Sequence, residues 1–272
     1  MPVGTWRAAA GLGCSVLRLK RLAVLSLFAF CAITAGAFWL LGVTDAGLPG
    51  AGNSGAGVRA AQSAPPQTAG KFVPLASGSA HAVNITRTVE PGWLARTAVQ
   101  TGIPARALRA YVAAAGMANA AAPACGIGWN TVAAVGFVES HHGALGGGHL
   151  AASGDVSGPI VGPGLNGDGF AAIADTDAGA LDGDARWDRA VGPMQFIPST
   201  WKMEGKDANG DGVADPHNID DAALSAAGYL CAGGRDLTTD QGWTDAIWSY
   251  NQSEAYLAQV GEQAVGYAEL AG

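Results

Sequence analysis

The sequence predicts a mainly α body, and three observations predict it. From about residue 83 onward apolar residues recur at spacings of three and four, helix punctuation marks the ends of these segments, and no run alternates apolar and polar residues as a half-buried strand would. Ahead of that body lie a basic head (1–21), an uncharged apolar run (22–43) and a Gly/Ala/Ser/Pro-rich stretch (44–82), which leaves 83–272 for the body.

The head carries Arg7, Arg18, Lys20 and Arg21 and no acid. The 22 residues from Leu22 to Val43 that follow are long enough to span a bilayer as a helix. The flanking charge keeps the N-terminus in the cytoplasm and sends the rest outside, as a signal anchor or as a long cleaved signal. The plainer alternative, a buried helix of a soluble fold, does not account for that polarity. The chain is therefore expected to be exported, either held in the membrane through residues 22–43 and facing outward or released. Residues 44–82 hold too few large apolar side chains to offset the entropy of ordering them, so they are expected to form a disordered tether.

The whole chain has a formal charge of −7, and with its basic head set aside the remainder is more acidic still. Nucleic acid is excluded as a partner, because binding a phosphate backbone needs clustered Lys and Arg. Of the four cysteines, Cys14 and Cys31 belong to the leader, leaving Cys125 and Cys231 as the one pair in the exported part. In an oxidising space two thiols bond if their Cα atoms come within about 7 Å; otherwise they are two separate buried thiols. No zinc-ligand spacing is present.

Within the body, Pro91-Gly92-Trp93-Leu94 opens a short helix. Pro104 can take the first position of the next, where Leu108, Tyr111, Val112 and Ala115 share a side. Trp129 leads into the segment TVAAVGFVESHHG, in which Val132, Val135, Gly136 and Glu139 fall on one face. A carboxyl on the core-facing stripe loses water, which raises its pKa and suits it to donate a proton. The alternative is a helix-end Glu turned to solvent, with Ser140 and His141 closing the helix. His141 and His142 are read as interacting with the last helical carbonyls rather than as catalysts.

A long Gly- and Asp-rich insertion separates this helix from Val191, with seven aspartates at 155, 168, 175, 177, 182, 184 and 188. The apolar islands Pro159-Ile160-Val161 and Phe170-Ala171-Ala172-Ile173 predict partial order, as a lip with a small hairpin. Next, in RAVGPMQFIPSTW, Gly192-Pro193 predicts a tight turn, Gln195 supplies an amide, and Pro198 starts a short helix carrying Trp201. Asp220 or Asp221 is expected to cap the run DDAALSAAGYL, which stops at Gly233-Gly234. Asp240 is expected to cap a helix whose Trp243, Ala246, Ile247 and Tyr250 align, and Ser253 to begin the last one, with Tyr256 and Val260 along one side. Between them, Asp207, Asn209, Asp211, Val213 and Asp215 follow the start of a calcium loop, with Gly212 at its sixth position. Asn218 stands at the twelfth, where a bidentate Glu is expected, so the closing ligand moves to Asp220 or Asp221; an Asp/Gly turn without metal is the alternative.

Glu139-Ser140 at a helix end, then GPMQF with IPSTW, then Tyr250-Asn251, in that order, resemble the lytic transglycosylases of the lysozyme-like clan. The GPMQF and IPSTW segments with their Asp-rich surroundings are most similar to the membrane-bound lytic murein transglycosylase B family, in an exported actinobacterial-like form. The resemblance covers roughly residues 93–267. It implies a lysozyme-like domain of packed helices with a groove for peptidoglycan strands. It also implies cleavage of the β-1,4 bond between N-acetylmuramic acid (MurNAc) and N-acetylglucosamine (GlcNAc), with closure of a 1,6-anhydro ring. In that scheme Glu139 is the single catalytic carboxyl, Gln195 and Tyr250 line the sugar sites, and Asn251 holds the groove or the substrate. Ser140, Met194 and Tyr256 are further candidates for substrate contact. No cofactor is required for this chemistry, calcium in the 207–215 loop would be structural, and other cell-wall enzymes are candidate partners.

Two other readings stay beside it. A muramidase would use a second carboxylate from the insertion, drawn from Asp175, Asp177, Asp182, Asp184 and Asp188, about 6.5 to 9.5 Å across the groove if it inverts. A non-catalytic wall-binding scaffold would keep the groove and not need Glu139 as an acid.

Overall fold

The structure, a computed structural model, describes residues 60–73, 89–168 and 171–271. The head, the apolar run at 22–43, Cys14 and Cys31 lie outside these residues. Among the described residues no helix is long and apolar enough to cross a membrane.

Among the described residues seven α-helices make up the body: α1 (Pro91–Thr101), α2 (Ala105–Ala121), α3 (Trp129–Ser140), α4 (Pro198–Glu204), α5 (Ile219–Cys231), α6 (Asp240–Tyr250) and α7 (Glu254–Ala271). The mainly α expectation holds. The sequence stripe on α3, however, understates its position, because every residue from Trp129 to Gly136 is buried. A helix apolar all round is a core helix, and α3 is one, packed between α2 and α7. Small residues make that possible. Gly136 faces Tyr111, and a Cβ there would stand 2.3 Å from the Tyr111 hydroxyl, so a larger residue requires the Tyr111 side chain or the helix to move. Buried Ala107, Ala110 and Ala114 of α2, with Ala222, Ala223 and Ala226 of α5, likewise allow α2 to lie close on α5.

The helix starts are set one or two residues away from the expected caps. Asn218, not Asp220 or Asp221, caps α5, its side chain accepting the Asp220 N–H. Thr239, not Asp240, caps α6, through the Gly242 N–H. Ser253 precedes α7 and its hydroxyl accepts the Tyr256 N–H at 3.3 Å. Released from capping, the fully buried Asp220 pairs with Arg106. The Arg106 guanidinium also donates to the carbonyls of Ala152 and Ser153 and so pins the start of the insertion onto α2 and α5.

Cys125 and Cys231 form a disulfide, with Cα atoms 5.4 Å apart, joining the turn before α3 to the end of α5. The insertion carries a short two-stranded antiparallel sheet of β1 (Val161–Gly164) and β2 (Arg189–Val191), with Val161 opposite Val191 and Gly164 opposite Arg189. The sequence of β1, VGPG, has no alternation to announce a strand.

Residues 60–73 fall inside the stretch read as a disordered tether, and here the expectation is corrected: they lie extended against the body. The Gln62 N–H donates to Thr244 Oγ1 (2.8 Å), the Trp129 N–H donates to the Thr68 carbonyl (3.1 Å), and Gln67 Oε1 accepts the Gly128 N–H (2.7 Å). Buried Asn130 accepts the Thr68 N–H and donates to the Pro66 carbonyl. Composition could not show this, because the partners are distant in sequence, with separations of 62 residues for Thr68 and Asn130 and 182 for Gln62 and Thr244.

Candidate active site

Glu139 occupies the last turn of α3, and the chain leaves that helix by a strained exit. His141 and His142 both adopt left-handed backbone (φ 51° and 61°), followed by Gly143 at φ 84°. Consecutive non-glycine residues there cost of order 1–3 kcal/mol each and persist only where their surroundings over-determine them. They are so held. The His141 and His142 N–H groups donate back to Phe137 and Gly136 carbonyls, and the buried His142 ring lies between the hydroxyls of Tyr111 (3.1 Å at Nδ1) and Tyr267 (2.9 Å at Nε2). Burial lowers the His142 pKa to about 4, keeping the ring neutral, while burial raises both tyrosines above their ordinary value. His142 thus fixes the exit of the helix, and the closing role expected of the pair falls to backbone N–H groups and this ring network.

Ser140 completes the lock. Its hydroxyl donates to the Pro193 carbonyl at 2.7 Å and accepts the Gly143 N–H at 2.8 Å, with no exposed surface. This joins the end of α3 to the Gly192–Phe196 turn, which is closed by paired Val191 and Phe196 backbone bonds. Gly192 is obligatory there: φ is 76°, and a Cβ would come 1.8 Å from the Pro216 carbonyl oxygen. Gln195, also left-handed at φ 51°, donates its amide Nε2 to the Gly192 carbonyl at 2.9 Å. A strained, half-buried polar residue on an otherwise rigid turn marks a position kept for something other than stability.

Tyr250, the last residue of α6, donates its hydroxyl to the Met194 carbonyl at 2.8 Å and is flanked by the rings of Phe196 and Tyr229. Tyr256 of α7 donates to Glu139 Oε1 at 2.6 Å. Burial pushes the Glu139 carboxyl up from 4.5 to about 7, and the Tyr256 hydrogen bond pulls it partly back. Glu139 nonetheless keeps some exposed surface, as do Gln195, Tyr250 and Asn251. The carboxyl is dry enough to hold a proton near neutrality and open enough to hand it on. Burial and the nearby Glu139 carboxylate raise Tyr250 and Tyr256 well above their ordinary values, so both phenols remain donors.

The structure therefore brings together Glu139, the 192–196 turn and the Tyr250–Tyr256 region, three stretches far apart in sequence. Three expected substrate contacts need correction or a changed role. Ser140 and Met194 are fully buried, one spent on two backbone bonds and the other packed in the core, so neither side chain is presented to a ligand. Tyr256 is 6% exposed and addresses Glu139 itself. Tyr229, which no motif singled out, supports the ring of Tyr250 and anchors its own hydroxyl on the Ser249 carbonyl at 2.8 Å. Its signal was only an aromatic at the end of an alanine-rich run.

The aspartates of the insertion serve the insertion. Asp175 accepts the N–H groups of Asp177, Ala178 and Gly179; Asp182 accepts those of Asp184 and Arg189; Asp184 pairs with Arg189 at 2.7 Å; Asp188 accepts from Thr176. In the predicted calcium loop, Asp207 accepts the N–H groups of Gly210 and Gly212. The loop closes on the buried Asp221, which accepts the N–H groups of Ala208, Asn209 and Asp215. Asn218 is turned away toward Asp155 and the start of α5, so it is not the twelfth-position donor. The oxygen donors and the two left-handed glycines, Gly210 and Gly212, fit a hard cation.

The model of the family described as "Transglycosylase SLT domain" matches residues 170–244, a segment that includes the 192–196 turn and the calcium-like loop but neither Glu139 nor Tyr250. No curated protein matches the chain. Among solved structures, the chain is similar to the Escherichia coli lytic transglycosylase SLT35 in complex with bulgecin A, at 16% identity over 66% of this chain and 75% of that one, with a TM-score of 0.40. The same E. coli protein in complex with calcium matches at 16% identity, with 66% and 76% coverage and a TM-score of 0.40. SltB3 from Pseudomonas aeruginosa in complex with NAG-anhNAM-pentapeptide matches at 17% identity, covering 66% of this chain and 64% of that one, with a TM-score of 0.39.

Proposed function

We propose that the chain is a peptidoglycan lytic transglycosylase that cleaves the MurNAc–GlcNAc β-1,4 bond with Glu139 as acid and then base. The observation that carries this reading is the Glu139 carboxyl itself, raised to about 7, hydrogen-bonded by Tyr256 and tied through Ser140 to the turn that holds Gln195. The family match over residues 170–244 supports the substrate class.

The chemistry follows from the residues. A glycosidic oxygen leaves only when protonated, and a carboxylic acid with a pKa near the working pH supplies that proton at useful population. Tyr256 holds Oε1, so Oε2 is the oxygen that carries the proton to the departing GlcNAc O4. As the C1–O4 bond breaks, positive charge develops at C1 and the ionised Glu139 stands nearby. The muramyl 6-hydroxyl then attacks C1 and gives its proton to Glu139, which restores the acid and forms the 1,6-anhydro ring without consuming water. In this reading Gln195, Tyr250 and Asn251, each keeping part of its surface exposed, hold the sugars. Asp175, Asp182, Asp184 and Asp188 are engaged within their own loop, which favours this single-carboxyl route over hydrolysis with a second acid drawn from them.

In the same reading the chain works outside the cytoplasm, anchored through residues 22–43 or released, and the disulfide between Cys125 and Cys231 suits an oxidising space. A calcium ion held by Asp207, Asn209, Asp211, Val213, Asp215 and Asp221 would brace the segment between α4 and α5 and take no part in bond cleavage. The test is digestion of purified peptidoglycan by the chain and by Glu139→Gln, with products weighed. Muropeptides lighter by one water are expected from the wild type alone. Reducing muramic ends would replace this mechanism by hydrolysis, and equal turnover by the variant would leave a scaffold.

A further inference from the structure

Gln195 is held from two sides, and one of them belongs to the insertion. Its backbone N–H (3.1 Å) and its side-chain Nε2 (2.9 Å) both donate to the Gly192 carbonyl, so the side chain curls back over its own turn. A carbonyl only accepts, which fixes the amide nitrogen on that side and leaves Oε1 to other neighbours. The neighbour it meets is Gly162 of β1. A Cβ added to Gly162 would stand 3.1 Å from Gln195 Oε1, so the amide occupies space that a side chain at 162 would contest. Gln195 itself has a left-handed backbone, φ 51°, which persists only where its surroundings over-determine it.

The backbone of β1 does not itself call for this glycine. A glycine inside a strand weakens it and marks either a bulge or a close approach. β1 is irregular here, since it advances three residues from Val161 to Gly164 while β2 advances two from Val191 to Arg189. The bulge that demands glycine holds it left-handed, and Gly162 is not left-handed, which leaves close approach as its reason. Gly164 is the internal comparison: a Cβ there would lie 3.7 and 3.8 Å from Arg189 and Asp184, ordinary contact distances. The strand is anchored where it meets Gln195, because the Gly162 carbonyl accepts from Arg189 Nη1 at 3.3 Å while Arg189 is paired with Asp184.

We propose that Gly162 is a positioning residue for glycan binding: by presenting no side chain, it leaves the Gln195 amide seated between β1 and the Gly192 carbonyl, in the orientation a sugar meets. This rests on the reading that Gln195 holds a sugar. The test measures KM, kcat and melting temperature on soluble uncrosslinked peptidoglycan strands for the full chain, Gly162→Ala, Gly164→Ala, Gln195→Ala and the Gly162→Ala, Gln195→Ala pair. Gly162→Ala is expected to raise KM about 3–10-fold, the range for one displaced neutral hydrogen bond, with kcat and melting temperature close to the wild type. Gly164→Ala is expected to match the wild type throughout. In the Gln195→Ala background the change at 162 should add nothing, because it acts through the missing amide.

An unchanged KM for Gly162→Ala, the same rise in the Gln195→Ala background, or a joint fall in kcat and melting temperature overturns the proposal. If Gln195→Ala raises KM and Gly162→Ala does not, this proposal fails alone; if Gln195→Ala keeps the wild-type KM, the sugar contact fails with it. Should the wild type not cleave peptidoglycan, the side-chain NH₂ signals of Gln195 by NMR decide whether Gly162 seats the amide. Signals moved by Gly162→Ala and not by Gly164→Ala support it, and signals moved by neither sink it.

Discussion

The helical body and the insertion between α3 and α4 are held in opposite ways. Around α3 the chain buries Trp129, Tyr111, Leu108, Trp243 and Ile247 completely, and the polar groups among them are few and nearly all matched. Between residues 150 and 190 the large buried apolar side chains are few, and the shape comes instead from carboxylates gathering backbone N–H groups, as Asp175 does with three of them. The first region should be less sensitive to ionic conditions and intolerant of altered volume. The second should show the reverse. The proposed acid and the proposed sugar contact sit on the seam: Glu139 belongs to the body, and Gln195 to a turn fed directly by the insertion.

The sharpest way to separate chemistry from architecture on that seam is Glu139→Gln. Activity on purified peptidoglycan is expected to fall by about 10²–10⁴-fold, the range for removing a general acid-base group, while circular dichroism stays that of the wild type. Next in size is the body: Leu108→Ala, at a fully buried position, should cost about 2–5 kcal/mol, read as a lower urea midpoint. If it costs under about 1 kcal/mol, the contrast between regions is drawn in the wrong place. Reducing Cys125–Cys231, which closes a separation of 106 residues, should cost about 2–5 kcal/mol by the same measurement.

Glu139 supplies a subtler test through its pH dependence. Its folded pKa, about 7, lies above the ordinary 4.5, so the folded state is penalised whenever the carboxyl is ionised. The penalty is absent below the ordinary value and grows as pH rises from there toward the folded value. Glu139→Gln should therefore raise stability by about 1–3 kcal/mol at pH 8 and by almost nothing at pH 4. Equal melting temperatures at pH 8 would mean that the carboxyl is better solvated than its setting indicates. The rate should likewise fall as pH rises past 7, because the acid form empties. Smallest in global effect is Asp188→Ala. It should move the melting temperature by less than about 4 °C, yet raise protease cleavage within 165–188 several-fold, since it opens a local unit and leaves the core intact.

The legibility of the sequence followed the same division. Helices with periodic apolar residues could be found because their partners repeat locally, and the Glu139–Ser140, GPMQF with IPSTW and Tyr250-Asn251 stretches marked the candidate site by their resemblance, in that order, to a known family. What escaped was long-range. The burial of α3 on all sides depends on glycine and alanine at facing positions, the capping of α5 by Asn218 on a competing use for Asp220, and the docking of residues 60–73 on Asn130. Ser140 and Met194 were misjudged for a related reason. A motif tells which residues matter together, but Ser140 matters by gripping the Pro193 carbonyl and Met194 by filling the core, and spacing does not distinguish these from touching a sugar.

The extended segment at residues 60–73 has a practical consequence for anyone trimming the protein. A recombinant fragment started at residue 83, where the apolar texture begins, would strip Asn130 and Gly128 of the backbone and side-chain partners they find in Thr68, Pro66 and Gln67. Such a fragment would expose the entry of the very helix that presents the acid at its other end, so poor yield or low activity from it would report on where the cut was made.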